Sequence, residues 1–481
     1  MLLIPILLPF IGGIFVFRQR DEHARNRTVL TLCVLTAAAA AVLCVLPARE
    51  LRLMTIQGSL YLALENDLLS KLFLVLISAV WLLAAVFAGP YLRHAGRERQ
   101  FQGFYTMTLG ALMGLALANN FATLYMFFEM MTLLTVPLVL HSGTPAARRA
   151  GLKYLGYSVF GAGMALAGYF FLSHFLTVQR FTGGGALNPR LAAEHRPLLL
   201  NVYFLMMVGF GAKAGMMPMQ AWLPTAHPVA PAPASAVLSG IITKGGVLAM
   251  MRVTYYLFGA DFLRGSWAQY ALTALALCTV FTGSMLALKE KVLKKRLAYS
   301  TVSQVSYVLF GMLLLSPGGM RGALLQMTFH ALAKDALFMA AGAIIMASNF
   351  TTVDQLVGIG KRMPKTMLAF SAAALSIIGI PPMSGFISKW YLAAAALNSE
   401  SRLVGYLGVA MLILSALMTA GYLLPIAVRG FFPGRDVLVE YREVGPQMTV
   451  PMLLLAAAVL FLGLFPNGLQ AWISLLLPQI F

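Results

Sequence analysis

The sequence predicts an all-α protein that crosses a lipid bilayer about fourteen times. Of its 481 residues, 60% are hydrophobic and only 11% are charged, which is typical of polytopic membrane proteins and not of soluble domains. Long apolar runs follow one another along the chain, with short polar connections between them. Two of these runs contain a Gly-x-x-Pro-Met interruption, which indicates helices that break at membrane depth.

Fourteen apolar runs account for the predicted spans. Their approximate bounds are 2–17, 28–46, 67–91, 103–118, 120–140, 152–176, 198–227, 232–258, 268–288, 297–315, 320–347, 366–398, 403–428 and 447–465. The seventh and the twelfth spans are the broken ones. The interruptions contain Gly215 and Pro218 in span seven, and Gly379, Pro381 and Pro382 in span twelve.

Two breaks that lie five spans apart predict a pair of inverted repeats. A unit with an odd number of helices re-enters the membrane from the opposite side, so we expect a pseudo-two-fold axis in the membrane plane to relate spans 4–8 to spans 9–13. The predicted organisation is peripheral helices 1–3 in residues 1–98, the first repeat in 99–260, the second repeat in 261–430 and helix 14 in 431–481. Paired breaks of this kind also indicate a transport site.

The formal net charge of +19 predicts membrane topology and not a nucleic-acid partner. The loops that follow odd-numbered spans hold most of the Lys and Arg residues, including the clusters within 18–27 and 289–296. By the positive-inside rule, this alternation places both termini on the outer side of the membrane. The lipid bilayer is therefore the partner that the basicity predicts, with an added attraction for anionic lipids.

Six ionisable groups other than histidine lie well inside the predicted spans. They are Glu129, Lys213, Lys244, Lys334, Asp335 and Lys389. Each costs roughly 2.5–3.5 kcal/mol at a helix centre, so these groups must be paired, hydrated or both, and such groups commonly mark ion pathways. A row of lysines suits protons better than solutes or metal cations.

Glu129 and Lys213 are candidates for a gating pair. At about 4 Å and an effective dielectric constant of about 20, an ion pair is worth roughly 4 kcal/mol. Moving the carboxylate towards or away from the amine would therefore change the proton affinity of the lysine. The alternative interpretation is a structural ion pair that locks two helices together.

The other buried charges extend this row. His330 and Lys334 lie four residues apart on one helix face, where they could relay a proton, although His330 could equally be a simple hydrogen-bonded side chain. Asp335 lies about 100° further around the helix and is a candidate modulator of a neighbouring charge. Lys244 is flanked by small residues that leave space for water or a close helix, and Lys389 follows the second break.

Several features exclude other functions. The sequence contains no nucleotide-binding loop, no cluster-ligand set and no nucleophile–base pair, so we expect no cofactor, no metal and no catalytic site in this chain. Its three cysteines, Cys33, Cys44 and Cys278, are scattered singly through apolar helices.

Lys71 follows Asp67 by four residues at the start of a span, and we expect it to form an interfacial ion pair or to snorkel to the interface.

A set of motifs resembles the antiporter-like subunits of respiratory complex I, of Mrp-type sodium/proton antiporters and of group 4 membrane-bound hydrogenases. The motifs are Phe127-Phe128-Glu129-Met130, Lys213-Ala214-Gly215, Pro218-Met219-Gln220-Ala221-Trp222-Leu223-Pro224, Ala226-His227-Pro228, Pro231-x-Pro233-Ala234-Ser235, Thr243-Lys244-Gly245, Leu297-Ala298-Tyr299-Ser300-Thr301-Val302-Ser303-Gln304, His330-x3-Lys334 and Gly379-Ile380-Pro381-Pro382-Met383-Ser384-Gly385-Phe386. Together they cover about residues 100–400, and the set is far more specific than any one piece.

The resemblance implies a fourteen-helix fold with inverted five-helix repeats and a hydrated central row of residues. In that row Glu129 and Lys213 would gate, Lys244 would connect, His330 and Lys334 would follow, and Lys389 would be the terminal site. His227 becomes a second candidate modulator. The resemblance is to the shorter paralogues, which lack a long lateral helix, and Asp335 has no counterpart that we can place in the family pattern.

The predicted function is therefore proton translocation, as a membrane subunit of a redox-driven multi-subunit complex. The implied partners are antiporter-like paralogues, small membrane subunits and a peripheral iron–sulfur or hydrogenase-like arm, in a prokaryotic cytoplasmic membrane. Two alternatives remain open at this point: a subunit of an Mrp-type cation/proton antiporter without a redox partner, and a proton-inert scaffold. Sodium stays open as a second ion, because carboxylates and the carbonyls of broken helices supply oxygen ligands.

Overall fold

The computed structural model describes residues 1–58, 60–93, 97–434 and 442–481. Most of them are helical. The α-helices are α1 (Ile4–Arg18), α2 (Glu22–Val45), α3 (Leu68–Leu92), α4 (Glu98–Leu117), α5 (Phe121–Val139), α6 (Pro145–Leu172), α7 (Pro189–Glu194), α8 (Arg196–Ala214), α9 (Leu223–Val229), α10 (Ala232–Val237), α11 (Thr243–Met251), α12 (Ala260–Leu263), α13 (Trp267–Lys289), α14 (Leu293–Leu313), α15 (Pro317–Ser348), α16 (Pro364–Ile378), α17 (Ser384–Leu397), α18 (Arg402–Phe431), α19 (Pro446–Leu464) and α20 (Asn467–Ile480). Short 3₁₀ segments lie at Ser173–Phe175, Gln220–Trp222, Val353–Leu356 and Ile359–Lys361, and π-helical segments at Leu238–Ile242 and Arg252–Phe258.

The predicted class, an all-α polytopic membrane protein, is confirmed. Ten helical segments of the described chain are long and apolar enough to cross a membrane. Helices α4 and α14 reach 20 and 21 residues but are less apolar. Most of their side chains are buried against other helices, so they do not need an apolar surface towards lipid.

Both predicted breaks are present. Helix α8 ends at Gly215, whose φ is 81°, and α16 ends at Gly379, whose φ is 92°. Glycine adopts this left-handed conformation without the steric penalty that a side chain would bring. Helical structure resumes at Gln220 after the first break and at Ser384 after the second. The peptide bonds before Pro218 and Pro382 are both cis.

One buried segment, Ala232–Phe258, runs through the centre of the molecule. It combines α10 and α11 with the two π-helical segments, and every residue in its most apolar window is buried inside the protein. Wide π turns inside α-helices are frequent at functional sites. Here the first π segment comes directly before the turn that carries Lys244.

Two elements were not expected from the sequence. The strands β1 (Glu50–Gln57) and β2 (Leu60–Glu65) form an antiparallel hairpin between α2 and α3. The segment predicted as helix 14 contains two helices, α19 and α20, because Phe465 precedes Pro466 and a residue before proline is disfavoured in the α conformation. Residues 435–441 of the predicted segment 431–481 lie outside the described residues.

Candidate functional site

The amine of Lys213 lies in a nest of hydroxyl groups at the end of α8. It donates hydrogen bonds to Thr132 Oγ1 at 2.8 Å, to Tyr154 OH at 2.9 Å and to Ser158 Oγ at 2.9 Å. It also lies 4.4 Å from the centroid of the Tyr154 ring. The side chain is 1% exposed, so neutral acceptors and aromatic faces replace the water that a buried amine loses.

Glu129 lies on the same face of α5 as Thr132, three residues earlier. Within the described residues it forms no ion pair with Lys213, and its Oε1 is buried without a hydrogen-bond partner. The two groups are nevertheless within electrostatic reach of each other. The close pair expected from the sequence is thus not formed in this structure, where hydroxyl groups take the place of the carboxylate.

Glycines hold the helix of Lys244 against that of Lys213. A Cβ at Gly246 would lie 2.6 Å from the Ala214 nitrogen and 3.0 Å from Lys213 Cβ. A Cβ at Gly245 would lie 3.0–3.2 Å from side-chain atoms of Leu115 and Met131. Of the two interpretations of the small residues beside Lys244, the structure therefore supports close helix packing.

Lys244 makes a direct contact with His330. The distance from Lys244 Nζ to His330 Nδ1 is 2.6 Å, and the same amine donates to the Ser239 carbonyl at 2.6 Å. Lys334 instead donates to the Leu297 carbonyl at 3.1 Å. The relay expected between His330 and Lys334 is therefore not a direct contact. Helix packing has given the imidazole a partner on another helix.

The two candidate modulators, Asp335 and His227, are both fully buried. Among the described residues, neither carboxylate oxygen of Asp335 and neither ring nitrogen of His227 has a hydrogen-bond partner. The His227 ring stacks on Phe338 with a centroid distance of 4.6 Å, and it lies within electrostatic reach of Lys334. Buried polar groups without protein partners are the places where internal water is expected.

A hydrogen bond between neutral side chains, which the sequence analysis did not single out as path residues, joins the helix of His330 to that of Lys389. Gln326 lies one turn before His330 on α15. It donates to Gln304 Oε1 at 2.9 Å and accepts a hydrogen bond from Ser388 Oγ at 2.6 Å. Ser388 immediately precedes Lys389. The sequence signal for Gln326 was its position four residues before His330 on α15. Glutamine and serine side chains also pair across membrane helices for packing alone, so this spacing does not by itself indicate a path residue.

The side chain of Lys389 lies against the C-terminal end of α16, the helix that precedes the second break. Its amine donates to the Ile377 carbonyl at 2.7 Å and to the Ile378 carbonyl at 2.6 Å, which are orphan acceptors at the C-terminus of α16. The negative end of the helix dipole also favours a cation there. The amine lies 5.3 Å from the Tyr307 ring centroid, so the break and the lysine form one unit.

The sequence analysis missed an ion pair of Arg252, although this residue lies inside predicted span 232–258. Its guanidinium binds the Asp67 carboxylate at 2.5 and 2.9 Å and Ser70 Oγ at 3.1 Å. Of the two interpretations of Lys71, the ion pair with Asp67 is therefore wrong. Lys71 donates to the Leu46 carbonyl at 2.6 Å instead, because Asp67 is already engaged by a bidentate partner from another helix.

Taken together, these contacts define a polytopic membrane protein whose interior holds an imidazole and several buried or half-buried amines near two helix breaks, with a direct contact between Lys244 and His330. Such groups can hold protons and pass them on. Within the described ranges, no group of three or more His, Cys, Asp or Glu side chains could hold a metal ion.

The chain belongs to the family of membrane proteins described as NADH:quinone oxidoreductase/Mrp antiporter, which it matches over residues 118–419. It is 33% identical to NADH-quinone oxidoreductase subunit N of Desulforudis audaxviator, over 83% of this chain and 81% of that protein. It is 26% identical to a subunit of the Na(+)/H(+) antiporter of Alkalihalophilus pseudofirmus, over 100% and 98% of the two chains. It is 32% identical to hydrogenase-4 component B of Escherichia coli, over 85% of this chain and 63% of that protein.

Solved structures share the fold. A chain of the membrane-bound sulfane sulfur reductase, an archaeal respiratory membrane complex, superposes with a TM-score of 0.85 at 22% identity, over 100% of this chain and 97% of that one. A chain of the Mrp complex from Dietzia sp. gives 0.83 at 22% identity with the same coverage. A chain of respiratory complex I from Thermus thermophilus gives 0.83 at 21% identity, over 100% of both chains. All three neighbours are parts of multi-subunit membrane complexes.

Proposed function

We propose that this chain translocates protons as an antiporter-like membrane subunit of a redox-driven multi-subunit complex. The observation that carries the proposal is the contact between Lys244 and His330, which joins the two halves of the row. The hydrogen bond between Ser388 on α17 and Gln326 on α15 joins the helix of Lys389 to that of His330, and the proposed row continues to Lys389 across this contact. Two of the relatives described above, the NADH-quinone oxidoreductase protein and the hydrogenase component, support the redox-driven form.

In the proposed mechanism, movement of Glu129 relative to Lys213 sets whether the first amine holds its proton. When the carboxylate approaches, it competes with the hydroxyl nest for the amine, and its charge favours the ammonium form. When it withdraws, the proton passes through internal water to Lys244 and then to His330. It leaves the row at Lys389, whose amine is held by the carbonyls of the broken helix.

One further observation favours a second candidate, a subunit of an Mrp-type cation/proton antiporter without a redox partner. The Na(+)/H(+) antiporter protein from Alkalihalophilus pseudofirmus is the relative described above that aligns over nearly the whole of both chains. In that case the same row would carry protons, and the coupled ion would be a monovalent cation such as sodium.

The finer organisation is part of the proposal. The two inverted repeats would occupy residues 99–260 and 261–430, flanked by 1–98 and 431–481. Both termini would face the outer side of a prokaryotic cytoplasmic membrane, since the basic loops follow odd-numbered spans. Antiporter-like paralogues, small membrane subunits and, in the redox-driven form, a peripheral iron–sulfur or hydrogenase-like arm would complete the assembly.

The test begins with purification of the whole complex in mild detergent and identification of the subunits that accompany the chain. Iron–sulfur or nickel–iron subunits support the redox-driven form, and an assembly of membrane subunits alone supports the antiporter. The intact complex is then reconstituted in vesicles, and proton uptake is followed with a pH-sensitive dye. The driving force is the redox reaction in the first case and a sodium gradient in the second.

Lys213→Ala and Glu129→Ala should each abolish proton translocation while the complex still assembles. Lys361→Ala is the matched control, because this lysine is exposed at the end of the short 3₁₀ segment Ile359–Lys361. Wild-type proton translocation per turnover in both Lys213→Ala and Glu129→Ala would contradict the proposal and leave the proton-inert scaffold as the better description.

A further inference from the structure

A cavity of about 290 Å³ lies between α2, α3, α4 and α19. Its lining combines the basic side chains His23, Arg27 and Arg93 with the apolar side chains Leu30 and Val86. No step of the mechanism above uses these residues. A concave site that places cations beside an apolar wall fits an amphipathic ligand.

The basic and the apolar side chains of this cavity lie at different depths. His23 and Arg27 occupy the first turns of α2, and Leu30 follows them further along the helix. Arg93 directly follows the end of α3, and Val86 lies inside that helix. The cavity is therefore basic where the helices end and apolar towards their middles, which is the order of headgroups and chains in one leaflet of a bilayer.

The cations at the helix ends keep capacity for an anion. Within the described ranges, neither His23 nor Arg27 forms an ion pair, and Arg93 pairs with Glu22 through Nε. A guanidinium carries five N–H donors, so Arg93 has others left for a second acceptor. Arg27 is exposed and can bind a phosphate group through two parallel hydrogen bonds.

The surroundings of this end of the cavity are basic as well. The sequence segments 18–27 and 93–100, which contribute to it, contain seven arginines and three carboxylates. The protein engages all three carboxylates, since the Asp21 side chain caps α2, and Glu22 and Glu98 form ion pairs with arginines. An excess of positive charge therefore remains, and such an excess attracts anionic lipid.

Asn26 adds a neutral donor to the cavity lining. Its Oδ1 accepts a hydrogen bond from Gln102 Nε2 at 2.5 Å, and Gln102 Oε1 in turn accepts one from Arg25 Nε at 2.8 Å. A Cβ at Gly89 would lie 3.6 Å from Asn26 Nδ2, so the amide lies close to a helix surface without a side chain. Among the described residues, no acceptor binds this amide nitrogen, which leaves it available to a ligand.

The cavity lies on the face of the membrane that the proposed topology assigns to the inner side. Its basic residues belong to the connections that follow the first and third predicted spans, and Gln447 lies at the start of α19, after the thirteenth. All three connections follow odd-numbered spans, so the positive-inside rule places them together. The inner leaflet is the one whose anionic lipids give it a negative surface potential.

Exposed apolar side chains continue from the cavity towards the middle of the membrane. Val34 lies four residues after Leu30 on α2, and Val450 and Leu454 lie on α19. Helix α3 packs against both of these helices. The acyl chains of a lipid whose headgroup fills the cavity would lie along this surface.

We propose that this cavity binds the headgroup of an anionic phospholipid from the inner leaflet. Arg27 and Arg93 would hold the phosphate group, and His23 and Asn26 would donate hydrogen bonds to headgroup oxygens. The lipid would join the peripheral helices α2 and α3 to α19. The site is independent of proton translocation, but its assignment to the inner leaflet rests on the proposed topology.

The positive-inside rule and a free phosphate ion each explain only part of this arrangement. The rule accounts for arginines on this face, but snorkelling side chains need no cavity between helices. A phosphate ion would pair with the arginines, but it would leave the apolar wall of Leu30 and Val86 uncovered. A phospholipid occupies both parts of the cavity.

The test uses the whole complex reconstituted in phosphatidylcholine vesicles that contain a small fraction of phosphatidylglycerol with a photoactivatable diazirine in one acyl chain. After irradiation, mass spectrometry identifies the labelled peptides. Arg27→Gln removes one cation from an exposed position, so it leaves the fold intact. Arg362→Gln is the matched control, because this arginine is also exposed, follows the eleventh predicted span and lies outside the cavity lining.

We expect label within residues 29–34 and 82–90, and about fivefold less of it in Arg27→Gln, since one arginine near a membrane surface contributes about this factor to the attraction of anionic lipid. Arg362→Gln should match the wild type. A phosphatidylcholine analogue with the same diazirine should label these segments less, and added inorganic phosphate should not compete.

Three results would overturn the lipid site. Equal labelling of the wild type and Arg27→Gln, or by the two lipid analogues, would show that the headgroup is not recognised. Loss of label on addition of inorganic phosphate would assign the cavity to a free anion. Absence of label from both segments would mean that another subunit covers them. Proton uptake measured in parallel tests the proposed function separately, because a complex that binds the lipid but does not translocate protons would contradict only that function.

Discussion

Lys244 and His330 lie 86 positions apart in the sequence, yet Nζ and Nδ1 approach to 2.6 Å inside the protein. The contact bridges the predicted boundary between the two repeats, since Lys244 lies on α11 and His330 on α15. An ammonium group can only donate, so Nδ1 is the acceptor whenever Lys244 is charged. The pair is therefore a place where a proton can move between the halves of the row in a single hydrogen bond.

Replacement of His330 by alanine should strongly reduce proton translocation. Loss of a positioned proton carrier typically costs about 10²–10⁴-fold in rate, and we expect the lower end because internal water can take part of the role. Lys334→Ala should have the smaller effect, since its amine binds the Leu297 carbonyl and not the imidazole. Dye-monitored uptake in vesicles measures both. Equal losses in the two variants would contradict the order of the row inferred here.

Removal of one hydroxyl group from the nest around Lys213 should weaken proton translocation. Ser158→Ala removes one of the three acceptors of the amine, and a hydrogen bond to a charged group is worth about 1.5–3 kcal/mol. We therefore expect a loss of roughly tenfold or more in proton translocation at saturating driving force. Ser173→Ala on the exposed end of the same helix region is the control, because its hydroxyl bonds only to the Phe170 carbonyl. Full activity of Ser158→Ala would show that the nest does not hold the amine.

The second break should be sensitive to a single methyl group. In Gly379→Ala the side chain must adopt a φ of 92°, which costs roughly 1–2 kcal/mol, and its Cβ would lie 2.8 Å from Lys389 Cδ. The lysine must shift away from its carbonyl partners, so translocation should fall more than assembly does. Gly163→Ala is the control, since its added Cβ would meet no neighbouring side chain or segment within 4 Å. Normal translocation in the Gly379→Ala complex would show that the backbone conformation of the break does not control the position of Lys389.

Asp335 and Gly240 offer a suppressor experiment. A Cβ at Gly240 would lie 1.8 Å from Asp335 Oδ1, so Gly240→Ala cannot be accommodated unless the carboxylate moves. We expect Gly240→Ala to lower the yield of assembled complex, and Asp335→Ala to restore it in the double variant by removing the clash. The yield is read from the amount of chain in the purified complex. Failure of the second substitution to improve the first would show that the two sites are energetically independent.

The Asp67–Arg252 pair makes a pH-dependent prediction about stability. Burial alone would raise the pKa of Asp67, but the Arg252 guanidinium and its hydrogen bonds hold that pKa below the ordinary value of 3.8. A depressed carboxyl pKa stabilises the folded state above the unfolded pKa, and this contribution is lost as the pH falls through the folded value. Asp67→Asn should therefore destabilise the protein by about 3 kcal/mol at pH 7, and by progressively less as the pH falls below 3.8.

Thermal melting of the detergent-solubilised complex across this pH range measures the effect. Asp261→Asn is the control, because that carboxylate is 92% exposed and its ion pair with Arg264 is local. Exposed pairs of this kind contribute at most about 1 kcal/mol. A constant difference between Asp67→Asn and wild type at every pH would mean that the guanidinium does not act through the ionised carboxylate.

Several features of the site were predictable because they are local in the sequence. A glycine and a proline within an apolar run break a helix wherever they occur, so Gly215 and Gly379 identified the breaks. A lysine within such a run is costly in any fold, so Lys213, Lys244 and Lys389 stood out as members of a row. The hairpin β1–β2 was missed because two short strands between spans give a much weaker signal than a hydrophobic span.

The sequence by itself determined the membrane class, the positions of the breaks and the identity of the lysines beside them, because each depends on the cost of placing one residue type in lipid. Only the tertiary structure decided which groups meet. His330 binds Lys244 and not Lys334, Asp67 binds Arg252 and not Lys71, and Gln326 links distant helices through Ser388. These partners depend on how helices far apart in the chain pack together, and helical spacing along one segment does not contain that information.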